Sequence, residues 1–422
     1  MPARHKVLAL MFALTFITYL DRVCISATAA PMMDELGMTK TQMGQVLSAF
    51  VVGYVLFEIP GGWLADRYGA RSLLTRIVVW WSAFTALTGV AWNFASLLVI
   101  RFLFGCGEAG AFPGCASALS RWFPRSERGL AQAVIMVGSR LGGAFAPGLV
   151  IAVMSASGWR SAFWIFAAVG IVWAAIWAWW YRNSPEEHPS VTASEIDDIR
   201  FARDTASHAT SVPWSALLRH KGVWALCAMY SGYAFGLYFY LTWLPTYLEE
   251  GRGIALAMVG FYAALPFLAG AVCNLTGGWL TDLLSRRMRL GWARRIPAMG
   301  GLLAAAALLT AAALLRDNTW SVTALALSFG AADLILPVCW ATCLDIGREH
   351  AGTVSGTMNS LGQVGGVIAP VLIGWLVEST GSWQLPLLIA AGYYGVSALL
   401  WLAIDPEQPL TQTLTVPGLR AA

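Results

Sequence analysis

Twelve apolar runs succeed one another along the chain, each long enough to cross a lipid bilayer as a helix. They cover residues 7–30, 41–65, 72–91, 94–120, 128–153, 160–181, 220–248, 254–281, 295–315, 319–344, 351–378 and 383–404. A spanning helix needs about 20 apolar residues. Lipid admits only structures that satisfy their own backbone polar groups, which means helices or closed barrels, and runs of this length choose helices. Composition agrees: 12% of the residues are charged, where a soluble domain carries about 25%. The sequence therefore reads as an all-α membrane protein of twelve transmembrane helices. Many of the 21 tryptophans flank the runs, among them Trp80, Trp81, Trp159, Trp179, Trp180, Trp320 and Trp383, where an amphipathic ring suits the headgroup region. The first run, from Val7, reads as a retained span rather than a cleaved leader, because Asp21 and Arg22 interrupt it and no small-residue cleavage site is clear.

Twelve spans put both termini on one side, and loop charge selects the side. Of the 27 Lys and Arg, 20 lie in loops on the side of the termini, 4 (Lys40, Arg160, Arg252, Arg316) on the other, and 3 (Arg22, Arg101, Arg140) within spans. The positive-inside rule then makes both termini cytoplasmic, with the cell (inner) membrane as the expected location. The polar stretch 182–219 divides an N-terminal six-helix bundle (1–181) from a C-terminal one (220–422), and Ala193–Asp204 within it has the makings of an amphipathic surface helix. The two bundles repeat. GGWLADRYGAR at 61–71 matches GGWLTDLLSRR at 277–287, RLGGAFAPGLV at 140–150 matches QVGGVIAPVLI at 363–373, and Phe112-Pro113 matches Leu336-Pro337. Such pseudo-symmetric halves, parallel and six spans each, place a binding site between them at mid-membrane.

Ionisable residues deep in a span are costly and usually face a cavity. This chain has Asp21 and Arg22 in span one, Glu58 in span two one turn beyond Tyr54, Arg101 and Glu108 seven apart in span four, Arg140 in span five and Asp333 in span ten. A guanidinium offers a planar fork that matches a carboxylate and stays charged. The carboxylates can exchange protons, since burial raises a carboxyl pKa and a nearby arginine lowers it. Arg140 either reaches the cavity or pairs with an acid such as Glu58, and Asp333 reads as a lone acid that meets a helix end.

The loop GGWLADRYGAR, together with YLDR (Tyr19–Arg22), RFLFGCGEAGAFPG (101–114) and YLTWLPTYL (240–248), resembles the major facilitator superfamily, and within it the anion:cation symporter family of bacterial sugar-acid transporters, related to vesicular glutamate and sialic-acid carriers. The resemblance implies a gating role for Asp66, Arg67, Gly69 and Arg71, with Asp282 in the second, degraded copy. It implies substrate binding by Arg22, Tyr19 and Tyr54, proton coupling by Asp21 and Glu108, Arg101 as the arginine partnering those acids, and substrate contacts from Trp340 and Asn359. The tyrosines of span seven (Tyr230, Tyr233, Tyr238, Tyr240) are candidates to line the cavity.

The function expected is proton-coupled symport of a small organic anion by alternating access, a sugar acid such as a hexonate or hexuronate. Aromatic acids, phosphate-linked anions, dicarboxylates and sodium coupling fit the same residues. The competing expectation is a proton-coupled exporter of drugs or metabolites on the same fold. An enzyme would need a nucleophile–base or metal cluster in the spans, and the sequence has none. The seven cysteines lie inside apolar runs without metal-ligand spacing, and no phosphate-binding or dinucleotide loop occurs. No metal, cofactor or nucleic-acid partner is expected; lipid, the anion and the proton are the partners of a monomer.

Overall fold

A computed structural model describes residues 2–192, 196 and 214–410. The expected surface helix at 193–204 lies, except for residue 196, outside the described residues. In chain order the principal helices are α1 (Ala3–Ala27), α2 (Ala29–Leu36), α3 (Lys40–Thr88), α4 (Phe94–Glu108), α5 (Ala111–Trp122), α6 (Arg125–Ser157), α7 (Trp159–Trp180), α8 (Lys221–Thr242), α9 (Leu256–Ser285), α10 (Leu290–Leu314), α11 (Asn318–Asp333), α12 (Ile335–Gly347), α13 (Ala351–Thr380) and α14 (Gln384–Leu400). No strand occurs among the described residues. Ten stretches are long and apolar enough to cross a membrane. Two more passages complete the twelve expected spans. One is the arm of α3 after Gly69, with Arg71 and Arg76 near its start; the other is α8, whose four tyrosines dilute its apolar content.

Local chemistry sets the helix ends. Thr39 and Gln42 close a capping box at the start of α3, and Asn93 and Ser96 do so for α4. Asp317 accepts from Trp320 N at 3.0 Å at the start of α11. Gly37 and Gly381 end α2 and α13 in the left-handed region that favours glycine. Spans four and ten are each loosened for one or two residues, Ala109 and Gly110 between α4 and α5 and Leu334 between α11 and α12, where the backbone stays right-handed helical. Span seven breaks at Trp243, into the turns Leu244–Thr246 and Tyr247–Gly251.

Packing follows the repeat. In the first half α1 lies along α6 and α3 along α4; in the second, α8 lies along α13 and α9 along α11. The halves meet along two seams, α3 against α13 and α6 against α9. At the end of the first seam remote from the chain termini, Lys40 Nζ lies 2.9 Å from Glu250 Oε2, and Thr41 N and Oγ1 donate to Glu378 Oε2 at 2.9 and 2.6 Å. Close approach there needs Gly44: a Cβ at that position would sit 2.9 Å from Val371 Cα. Of the tryptophans expected at the headgroups, Trp80, Trp179 and Trp320 are exposed, but Trp81, Trp159 and Trp383 are buried. Partners draw two of them in. Trp159 Nε1 donates to Glu35 at 2.6 Å, and Trp383 packs edge-on against Trp243 and Tyr247.

Candidate functional site

The buried charges resolve into three groups. The first belongs to the N-terminal half. Arg22, on α1, forms an ion pair with Glu108 through Nε and Oε1. Its guanidinium is also ringed by aromatic faces, 4.7 Å from the centroid of Tyr54, 5.1 Å from Phe50 and 5.2 Å from Tyr19. Arg22 Nη2 and Glu108 Oε2 have no hydrogen-bond partner.

Arg101 lies within electrostatic reach of Asp21 and Glu108, the acids the resemblance assigns to it, without a direct contact to either. Among the described residues no carboxylate lies within ion-pair distance of it; it stacks on Phe104 at 4.1 Å and faces Phe50 at 5.5 Å. The reason is geometric. Seven residues along a helix separate Arg101 from Glu108 by about 10 Å, whereas α1 brings Arg22 directly to the carboxylate. Asp21 is 1% exposed and both its oxygens lack a partner. It lies within electrostatic reach of Arg101 and Glu108, and beside Trp81 Nε1 without the geometry of a hydrogen bond to it.

The second group joins the halves. Arg140 Nη2, on α6, donates to Asp333 Oδ1 at 2.8 Å, and Nε lies 2.8 Å from Oδ2. Tyr233 of α8 donates its hydroxyl to the same Oδ1 at 2.6 Å. So Arg140 pairs with Asp333 rather than Glu58, and Asp333 is not a lone acid. The third group is also a bridge between halves: Asn359 Nδ2 on α13 donates to Glu58 Oε1 at 2.5 Å, with Glu58 Oε2 unpartnered. Trp340 is 43% exposed on α12, and no hydrogen bond or ring contact among the described residues joins it to any of the three groups.

In the loop motif, the bonds of Arg71 stay within one bundle. Gly69 has φ +76°, and an added Cβ would meet the amide of Asn183. Asn183 Oδ1 accepts from Arg71 N at 3.0 Å, while Arg71 Nε and Nη2 donate to Ala178 O at 2.9 and 2.5 Å, at the end of α7. Arg67 rests on Trp63 and Tyr68. Asp66's side chain lies outside the described residues. Asp282 is exposed; in this half the buried link is Arg294 Nε to Asp345 Oδ2 at 2.9 Å, with Arg294 Nη1 donating to Thr281 at 2.9 Å. Neither Arg71 nor Arg294 reaches across to the other bundle through these bonds.

Sequence reading missed Phe50 and Trp81 as neighbours of the charges. Phe50 was within reach of pattern, since Phe50, Tyr54 and Glu58 repeat at one-turn spacing on α3. No metal-binding cluster occurs among the described residues.

Comparison with known proteins adds identity to this geometry. The chain matches the Major Facilitator Superfamily over residues 11–370. It is 39% identical to a probable sulfoacetate transporter of Cupriavidus necator, covering 96% of this chain and 94% of that one. It is 31% identical to the hexuronate transporter of Bacillus subtilis (92% and 91%) and 31% to the D-galactonate transporter of Escherichia coli (90% and 90%). Its fold superposes on a bacterial homologue of the human lysosomal transporter Spinster, in an inward-facing and occupied conformation, with TM-score 0.78 at 19% identity over 96% of this chain and 97% of that one. The doubled bundle is thus a transporter fold, and the chain belongs to the Major Facilitator Superfamily.

Proposed function

We propose that this protein is a secondary active transporter that carries a small organic anion together with a proton by alternating access between its two halves, 1–181 and 220–422, joined by the linker 182–219. It is a monomer in the cell membrane with both termini cytoplasmic, and it catalyses no covalent chemistry. One observation carries the reading: Arg22 is buried among three aromatic rings, holds a single carboxylate and keeps a donor nitrogen unpartnered. An anion entering here competes with Glu108 for the fork. The displaced carboxylate then has no cation and takes a proton, while Asp21 can take one without losing an ion pair. Anion and proton therefore load together. The organic acids carried by the relatives support a small carboxylate or sulfonate as cargo, a sugar acid such as a hexonate or hexuronate among them. Glu58–Asn359 and Arg140–Asp333 tie the halves in the state described here, and their exchange accompanies the switch between states.

The test is uptake into proteoliposomes. Acidifying the outside should drive accumulation of the acid, and Arg22→Gln should abolish it. Accumulation indifferent to an imposed proton gradient removes the coupling, and an Arg22→Gln protein that transports normally removes the anion site.

A further inference from the structure

We propose that Arg140 forms a second anion subsite, so that the substrate is a dianion held at one end by Arg22 and at the other by Arg140. The inference rests on the assignment of Arg22 as the anion site and extends it to the class of substrate.

Four observations carry it. First, Arg140 is 6% exposed, and its ion pair uses only one edge of the guanidinium: Nε and Nη2 face Asp333, and Nη1 has no partner. A pair serving only to lock two helices gains nothing from a buried donor left open, since well-packed apolar residues hold such a seam as firmly. Second, the two arginines are treated alike by the fold. Each is bound to the acid that ends the first segment of a loosened span, Glu108 at the end of α4 and Asp333 at the end of α11, and each retains one unpartnered nitrogen. Third, one side chain lies within reach of both. The backbone of Gly138 abuts Phe12 and that of Gly142 abuts Phe16, so α6 runs along α1, and Arg140, on the other face of α6, is level with Leu14, eight residues or roughly 12 Å along the axis from Arg22. Tyr19 lies within electrostatic reach of both guanidiniums. Fourth, the groups around Arg140 from the packed elements are Asp333 on α11 and the tyrosines Tyr230 and Tyr233 on α8 and Tyr19 on α1; of these Asp333 carries a charge for the arginine to trade.

The physical consequence is selectivity with a conformational readout. A monoanion satisfies Arg22 and leaves the Arg140–Asp333 bridge between the halves closed. A dianion replaces both acids, and so opens the bridge as it binds.

Matched pairs test this on the purified full-length protein. Galactarate against galactonate, and sulfoacetate against 2-hydroxyethanesulfonate, differ by one anionic group at nearly constant size. In thermal-shift titration the dianion should bind about tenfold or more tightly than its monoanion in at least one pair, the discrimination that one charged hydrogen-bonding group supplies. The double variant Arg140→Gln/Asp333→Asn removes the subsite without leaving a buried charge. It should bring that ratio close to one. Arg22→Gln should weaken both members of each pair; if it weakens neither, the Arg22 reading itself fails. If the wild-type protein binds each monoanion as tightly as its dianion, or binds neither dianion, or if the double variant keeps the preference, the second subsite is refuted.

Discussion

Three rings and one carboxylate hold Arg22, and this sets what a substitution there does. Cation–π contacts are worth roughly 0.5–2 kcal/mol each according to burial, and they orient the guanidinium plane as well as bind it. Arg22→Lys keeps the charge but loses both the fork and the stacking. Uptake by Arg22→Lys should fall by about tenfold or more through a rise in KM, read from initial rates across a substrate series. Glu108→Gln poses the opposite case. It leaves a buried guanidinium without its anion, a loss on the order of 3–5 kcal/mol, so the thermal midpoint should drop. Added substrate should restore more of the midpoint in Glu108→Gln than it adds to the wild type, because the anion then supplies the missing partner. Equal shifts in both proteins would remove Arg22 from the binding site. At this scale the sequence was a partial guide. It named Arg22, Glu108, Arg140 and Asp333, because an ionisable residue inside an apolar run stands out. It did not show the direct contacts of Arg22 with Glu108 and of Arg140 with Asp333, because the approach of α1 to Glu108 and of α6 to α11 is tertiary and leaves no periodic trace.

The loosened stretches belong to the helices rather than to any one residue. Sequence matching by offset places Ala332 opposite Glu108 and makes the charges look confined to the first half. The helix ends tell otherwise, since Asp333 closes α11 as Glu108 closes α4. One residue of drift at the loosened stretch hides the correspondence from an ungapped comparison. The repeat itself was plainly legible, as was the need for glycine in the loop after span two. There the structure shows what the residue does locally. Gly69 bends the chain so that Arg71 can satisfy the carbonyl of Ala178 in the last turn of α7, a link within the bundle. Gly69→Ala should therefore cost about 1–3 kcal/mol from its positive φ, with crowding of Asn183 added. Differential scanning fluorimetry in detergent should show the lowered midpoint. Asp282→Ala, at an exposed position, should leave the midpoint within error. The reverse ranking would mean that the second copy of the loop, not the first, holds its helices.

For the whole molecule the question is which end of the two seams opens, and nothing in a linear sequence fixes how one bundle sits on the other. The observed arrangement ties the end remote from the termini. Lys40 meets Glu250 there, Thr41 meets Glu378, Ser48 Oγ donates to Val367 O at 2.7 Å, and Gly44 lets the backbones touch. The Lys40–Glu250 pair is solvent-accessible and individually weak. The Thr41 bonds are stronger, since both donors meet one carboxylate oxygen and hydrogen bonds to a charged group exceed neutral ones. The seal is thus a small, tunable term in the balance between states, as a carrier that must reopen it in every cycle requires. Glu378→Gln retains the shape and weakens both Thr41 bonds. It should raise hydrogen exchange of the backbone amides in 40–48 and 367–378 by roughly threefold to tenfold, with amides around Gly69 unchanged. Saturating substrate should lessen the difference if the loaded carrier closes the same seam. Exchange that rises equally at both ends of the bundles would mean that Glu378 stabilises the fold as a whole rather than one of its two states.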